Sequence, residues 1–335
     1  MNIINLNQNR KKNGIEDLLD WLSSDINKLN SILLELMSNN LPLISQLSSH
    51  LLESGGKRIR PLLLLACSRL CNYSGDRHIK LASVVEFIHT ATLLHDDVVD
   101  KGKKRRGKKT ANLIWDNKSS ILVGDYLLSK AFKILINDGS LSCLNIVSKA
   151  SLKISEGEVK QLVASKNLKT SEAEYLDIIT HKTAELFSAA CELSAEISGI
   201  CEENKRSLSD FGKYVGIAFQ IIDDTLDYFS IKGLSGKDFG NDLREGKMSL
   251  PLILCYKRSN TEEKKYIEYL LNNNLKDEDF FEILSCMKKY EVENDCKNKA
   301  KHFSIMAKDS LGGFSDSDSK NKLVNLVDFL VNRTN

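Results

Sequence analysis

The chain has 335 residues, about 42% of them hydrophobic, which is enough for one large domain or two ordinary ones. A formal charge of +2 calls for no nucleic-acid partner. Eight cysteines, at 67, 71, 143, 191, 201, 255, 286 and 296, include no CxxC pair and no close His partner; they exclude a clustered zinc site and read as reduced thiols of a cytoplasmic protein. Only three prolines occur, long stretches are rich in Leu, Ile, Ala, Lys and Glu, and alternating β-branched runs are missing, so the predicted class is all-α with strands absent.

In chain order, Met1 to Asn13 is polar and lacks the apolar core of a signal peptide; Asn9-Arg10-Lys11-Lys12 is a weak match to a transit peptide, without the Ser and Arg content required. No window approaches the roughly 18 apolar residues of a membrane span. The stretch before Ser54 carries no recognisable chemistry and reads as outer helices. Gly55-Gly56-Lys57-Arg58-Ile59-Arg60-Pro61 then sets three cations before a helix that starts at Pro61, a residue tolerated in the first turn. Free backbone N–H groups and guanidinium forks together make an anion site.

The next element ends in Asp96-Asp97-Val98-Val99-Asp100, preceded by the apolar Thr90-Ala91-Thr92-Leu93-Leu94-His95. A second copy, Asp223-Asp224-Thr225-Leu226-Asp227, follows Gly216-Ile217-Ala218-Phe219-Gln220-Ile221-Ile222. On a helix, residues four apart share a face, so Asp96 stacks over Asp100 and Asp223 over Asp227. A solvated helix face would not have such flanks, and a calcium loop needs alternating oxygen ligands around a glycine. If both helices face one cavity, each like-charge pair costs about 4 kcal/mol at an effective dielectric near 20. Hard divalent cations relieve that repulsion. Mg²⁺, usually held by one or two carboxylates plus phosphate oxygens and water, therefore points to a phosphorylated substrate.

Between the motifs, Lys101-Gly102-Lys103-Lys104-Arg105-Arg106-Gly107-Lys108-Lys109 is strongly basic. Adjacent arginines point to different sides, so Arg105 and Arg106 suit two separate anions, while the lysines read as solvated. His181-Lys182-Thr183 adds a cation and a hydroxyl. Gln220 lies on the same helical stripe as Asp223 and Asp227 and can donate to phosphate. After the second motif, Gly233 to Gly246 contains four glycines among Lys237, Asp238, Asp242 and Lys247, and reads as a cationic flap able to close over a diphosphate. Gly312 to Ser319 reads as a plain loop before a last amphipathic stretch, Leu323 to Val331. Nothing marks a second domain, so 1–335 is taken as one domain with its motifs between 55 and 251.

Assembled, these segments resemble the trans-type polyprenyl diphosphate synthase family from about Gly55 to Pro251. The resemblance rests on Gly55 to Pro61, Phe87 to Asp100, Arg105-Arg106-Gly107, Gly124-Asp125-Tyr126-Leu127-Leu128, Glu156-Gly157-Glu158, Lys182-Thr183-Ala184, Phe219 to Asp224, Gly236-Lys237-Asp238 and Gly246-Lys247 to Pro251. Lys109 departs from the proline common before Thr110, which touches only loop shape. The resemblance implies a helical bundle with a deep central cavity, usually a homodimer. It also implies Mg²⁺, with Mn²⁺ as a substitute, held by Asp96, Asp97, Asp100, Asp223 and Asp227. An allylic diphosphate would meet Arg105, Lys182, Thr183, Gln220, Lys237 and Lys247. Isopentenyl diphosphate would meet Lys57, Arg60, His89 and Arg106. The proton lost in each cycle would go to a diphosphate oxygen rather than to a side chain.

Product length is read from α-helical rise. Thr92 and Ala91 lie roughly 6 and 7.5 Å below Asp96, one or two prenyl units down the cavity, and neither is bulky. Similar synthases with small residues here make long products, and the stretch Ile88 to Asp100 looks most like octaprenyl and longer-chain bacterial enzymes that supply quinone side chains. A product of about eight to ten isoprene units is expected, with geranylgeranyl diphosphate second and the cavity floor near Phe132 or Leu135. A terpene cyclase or head-to-head synthase would not need the second anion site of Lys57, Arg60 and Arg106. A non-catalytic partner subunit would typically lose an aspartate motif, and both are intact.

Overall fold

The computed structural model describes residues 14–37, 41–53, 56–105, 107–230, 240–273 and 277–333. Helices α1 (Gly14–Trp21), α2 (Ser23–Met37) and α3 (Pro42–Glu53) lead into α4 (Ile59–Leu70) and α5 (Arg77–Val99). In α4 every residue from Pro61 to Ser68 is buried, and in α5 every residue from Leu81 to Ile88. Helices that are apolar on all sides belong at the centre of a bundle, which is where these two lie.

The strands β1 (Lys104–Arg105) and β2 (Lys108–Lys109) then form a short antiparallel ladder, Lys104 opposite Lys109 and Arg105 opposite Lys108. This corrects the expectation of no strands. The basic run cannot pack apolar surface, so it turns back on itself through Gly107 (φ 78°) and is pinned at its base where Thr110 Oγ1 donates to the Gly102 carbonyl at 2.7 Å.

Next come α6 (Ala111–Ile114), α7 (Asn117–Asp138) and α8 (Leu141–Ala164). Asp116 caps α7 by accepting from the Ser119 amide at 2.6 Å, Gly139 closes it with a left-handed residue, and Ser140 caps α8. The capping box of Ser171 and Glu174 starts α9 (Glu172–Ile179), which runs through a wide π-type turn, Thr180–Ala184, into α10 (Glu185–Ser198). The longest helix, α11 (Glu202–Phe229), is followed by α12 (Asn241–Arg244), α13 (Leu250–Arg258), α14 (Thr261–Asn272), α15 (Asp277–Lys289), α16 (Val292–Ser310) and α17 (Asp318–Val331).

Two apolar clusters meet along α11. Its first half, with Leu208, Phe211 and Val215, packs into the cluster built from α1, α2, α4, α5, α7, α8, α10 and α17. Its second half, with Ile217, Ile221, Ile222 and Tyr228, packs with α9, α13, α14, α15 and α16. The second aspartate motif therefore stands on the element shared by both. Among the described residues no helix is long and apolar enough to cross a membrane.

Candidate active site

Asp96 and Asp97 occupy the last turn of α5, and Asp100 caps it, its amide donating to the Asp96 carbonyl at 2.8 Å. The one-face reading of Asp96 and Asp100 is matched by their cationic neighbours. Lys182 Nζ lies 3.8 Å from Asp96 Oδ2, and Lys247 Nζ lies 3.3 Å from Asp100 Oδ2. Asp97 points elsewhere: it is buried, and Arg105 holds its carboxylate through Nε at 3.1 Å and a terminal nitrogen at 2.9 Å. Arg105 thus anchors the hairpin to the first motif in this arrangement.

Lys182 is placed by the wide turn between α9 and α10. Two glycines let neighbouring helices press against that turn. A Cβ at Gly157 of α8 would stand 2.5 Å from the Lys182 amide nitrogen, and one at Gly216 of α11 would stand 2.6 Å from Ala184 Cα. Lys182 also donates to Glu158 at 2.7 Å. From the same turn Thr183 Oγ1 donates to Gln220 Oε1 at 2.8 Å, and Gln220 Nε2 donates to Asp224 Oδ1 at 2.7 Å. Tyr175 completes that chain by donating to Asp224 Oδ2 at 2.6 Å.

In the second motif, Asp224 is buried and Asp227 accepts from the Asp242 amide at 3.0 Å. Asp223 receives Arg333 at 2.5 Å. Lys247 links the motifs indirectly: besides Asp100 it lies 2.6 Å from Glu245 and 3.8 Å from Asp242, whose amide donates to Asp227.

The entry segment sits beside α5. Arg58, in a left-handed conformation, is buried against Glu86 as an ion pair, and Arg60 lies 3.2 Å from His89 Nε2. Three cations of this side rest on aromatic rings: Lys57 over Phe329 at 5.0 Å, Arg60 over Phe187 at 4.5 Å, and Arg333 over Phe219 at 4.2 Å. Phe187 and Phe219 are themselves 5.5 Å apart. Arg106 and Lys237 lie outside the described residues, as do Gly55 and residues 233–239 of the Gly233 to Gly246 segment. Ala91 is buried in the main apolar cluster, and Thr92 is half-buried with its hydroxyl donating to the His89 carbonyl at 2.8 Å.

Burial and mutual repulsion raise the carboxyls. Burial, opposed by Lys182 and reinforced by Asp100, pushes Asp96 up; burial and then Asp242 push Asp227 well up and Asp224 up to about 8. Burial, then Asp96, pushes Glu158 up to about 7, and burial raises Asp242. Burial pulls Lys247 down, but Asp242, Glu245 and Asp100 outweigh it and hold the ammonium above its ordinary range. Such an excess of buried oxygen anions fits hard divalent cations. Among the described residues no three His, Cys, Asp or Glu side chains are arranged to hold a cation unaided. The remaining ligands would thus be phosphate oxygens and water, the mixed shell that suits Mg²⁺.

Sequence reading passed over Arg333, Tyr175, Glu86 and Glu245, and gave Glu158 and Asp242 no role. Glu158 and Asp242 stood within segments already marked as informative; Arg333, Tyr175, Glu86 and Glu245 carry no local signal.

The helical fold and its paired aspartate motifs define the all-α isoprenoid synthase class. Residues 41–287 match the family described as Polyprenyl synthetase, and the chain belongs to that family. It is 37% identical to the octaprenyl diphosphate synthase of Haemophilus influenzae, covering 96% of this chain and 97% of that one. It is 41% identical to the octaprenyl diphosphate synthase of Escherichia coli over 76% of this chain and 79% of the other. Among solved structures, a polyprenyl synthase from Caulobacter crescentus, complexed with calcium and isoprenyl diphosphate, superposes with a TM-score of 0.94 at 39% identity, covering 97% of this chain and all of that one.

Proposed function

We propose that the protein is a trans-prenyltransferase that adds isopentenyl diphosphate units to an allylic diphosphate such as farnesyl diphosphate, giving a long-chain all-trans-polyprenyl diphosphate of the octaprenyl class for quinone side chains. The observation that carries this reading is the connection of the two aspartate motifs: Lys182 pairs with Asp96 while its neighbour Thr183 bonds Gln220 and through it Asp224, and Lys247 pairs with Asp100 and Asp242, whose amide donates to Asp227. The identities to octaprenyl diphosphate synthases support the product class.

In this reading Asp96, Asp97, Asp100, Asp223 and Asp227 hold Mg²⁺, or Mn²⁺ in its place. The bound ions supply positive charge to the departing diphosphate. Lys182, Thr183, Gln220, Lys247, Arg105 and Lys237 would bind the allylic diphosphate, with Thr183, Gln220 and Arg105 exchanging their present acceptors, Gln220, Asp224 and Asp97, for its oxygens. As the allylic C–O bond breaks, these fixed cations stabilise the charge that develops on the leaving oxygens. Lys57, Arg60, His89 and Arg106 hold isopentenyl diphosphate so that its double bond faces the carbocation-like carbon. A new C–C bond forms, and the proton released passes to a diphosphate oxygen. The aromatic seats of Lys57 and Arg60 keep both cations extended before substrate arrives.

The chain acts as one domain and as a homodimer in the cytoplasm. The dimer reading is supported by the exposed apolar residues Ile121, Leu122 and Ile136 of α7 and Leu152, Val159, Leu162 and Val163 of α8. Mass spectrometry of the products from farnesyl diphosphate, excess isopentenyl diphosphate and Mg²⁺ tests the function. A ladder ending at about forty to fifty carbons, eight to ten isoprene units, is the expected result. Termination at twenty carbons would favour geranylgeranyl diphosphate synthesis, and no elongation would refute the enzyme.

A further inference from the structure

Arg333 lies two positions beyond the end of α17, in a part of the chain where the sequence shows no chemistry, yet its side chain is 7% exposed and reaches the second aspartate motif. One terminal nitrogen donates both to Asp223 Oδ1 at 2.5 Å and to the Phe219 carbonyl at 3.0 Å. The guanidinium plane is seated on the Phe219 ring, and its buried Nε has no hydrogen-bond partner. A buried donor left unpaired for the sake of one carboxylate contact shows that the arginine is aimed rather than merely solvated. The same terminal segment also places Phe329 beneath Lys57, so it touches both diphosphate-facing sides of the site.

We infer that Arg333 is the resident counter-ion of Asp223, and that its charge competes with the loading of a divalent cation at the second motif. The inference rests on the reading of Asp223 as a metal ligand. Guanidinium occupies only Oδ1 and leaves the other lone pairs of the carboxylate open, but a divalent cation bound there would stand close to it, and the two positive charges repel one another. Asp223 repels Asp224 and Asp242, and Lys247 faces Asp242 rather than Asp223. Arg333 thus supplies the positive charge at Asp223 itself, and a divalent cation there would take over that role.

The test is a titration of the full chain with Mn²⁺ alone, free Mn²⁺ being followed by electron paramagnetic resonance, for the wild type and for Arg333→Gln, Arg333→Lys and Asp223→Asn, each first shown to melt cooperatively. Removal of the competing charge in Arg333→Gln is expected to tighten Mn²⁺ binding about fivefold, the change a partly exposed ion pair is worth, while Arg333→Lys stays near the wild type. Asp223→Asn is expected to weaken binding. If Asp223→Asn weakens binding but Arg333→Gln leaves it unchanged or weaker, the counter-ion role is overturned and the metal reading stands. If Asp223→Asn has no effect, the metal reading of Asp223 falls, and this inference with it.

Discussion

Gly157 of α8 lies directly against the backbone of Lys182: a Cβ there would meet the Lys182 amide nitrogen at 2.5 Å and Lys182 Cα at 2.9 Å. The contact is backbone on one side, so it cannot be relieved by moving a side chain. It presses α8 onto the wide turn and thereby fixes how far Lys182 projects toward Asp96. Gly157→Ala is predicted to lower stability by about 1–3 kcal/mol through overpacking and to lower kcat more than KM, since the turn must shift. Thermal melting with steady-state kinetics checks it; an unchanged kcat in a destabilised variant would show that the contact only packs.

Asp96 and Asp223 meet different cations, Lys182 and Arg333. Asp96→Ala and Asp223→Ala are each predicted to lower turnover about 100-fold or more, because fewer charges then face the departing diphosphate. Prenyl transfer assayed at saturating Mg²⁺ measures the loss. Near-normal kinetics in both variants would remove the catalytic reading of the motifs.

Glu158 supplies a pH dependence. Burial and Asp96 hold its carboxyl at about 7 in the folded chain, against an ordinary value of 4.5. Between those values the folded chain keeps a proton that the unfolded chain releases, so stability falls as pH rises through the window. In metal-free protein the decline from this group is about 1–3 kcal/mol, complete near pH 7.5. Glu158→Gln, which still accepts from Lys182, is predicted to make the fall of melting temperature between pH 5 and 7.5 shallower, the remaining fall coming from the other raised carboxyls such as Asp224. An equally steep decline in the variant would assign it to Asp224 or Asp227 instead.

Much of this site is written locally in the chain. The four-residue spacing from Asp96 to Asp100 implies one helical face, and the unbroken apolar run before each motif implies burial, because both follow from helix geometry alone. The pairing of Asp97 with Arg105 was not legible, since it depends on the basic run folding back as a hairpin, which a helix-forming composition hides. Arg333 was not legible either. Its partner lies on another helix, and only the packing of α17 against α11 and α4 brings the two together. The close approach of α8 and α11 to the wide turn at Thr180–Ala184 likewise depends on Gly157 and Gly216, far from the turn in the chain.

In the proposed reading, product length turns on the face of α5 below Asp96. Thr92 is half-buried and lies roughly 6 Å along the helix from Asp96, whereas Ala91 is enclosed by the main apolar cluster. A tyrosine at either position puts an aromatic ring at the level of the first added units while the carboxylates stay in place. Thr92→Tyr and Ala91→Tyr are therefore both predicted to shorten the product and to preserve turnover of the first condensation. Their stabilities should differ. Ala91→Tyr must force its ring among packed side chains at a cost of about 1–3 kcal/mol, while Thr92→Tyr gives up little more than a hydroxyl contact with the His89 carbonyl. Chromatography of the prenyl products beside melting curves separates the two effects, and a product of undiminished length from both variants would place the determinant elsewhere, with Phe132 on α7 next to be tested.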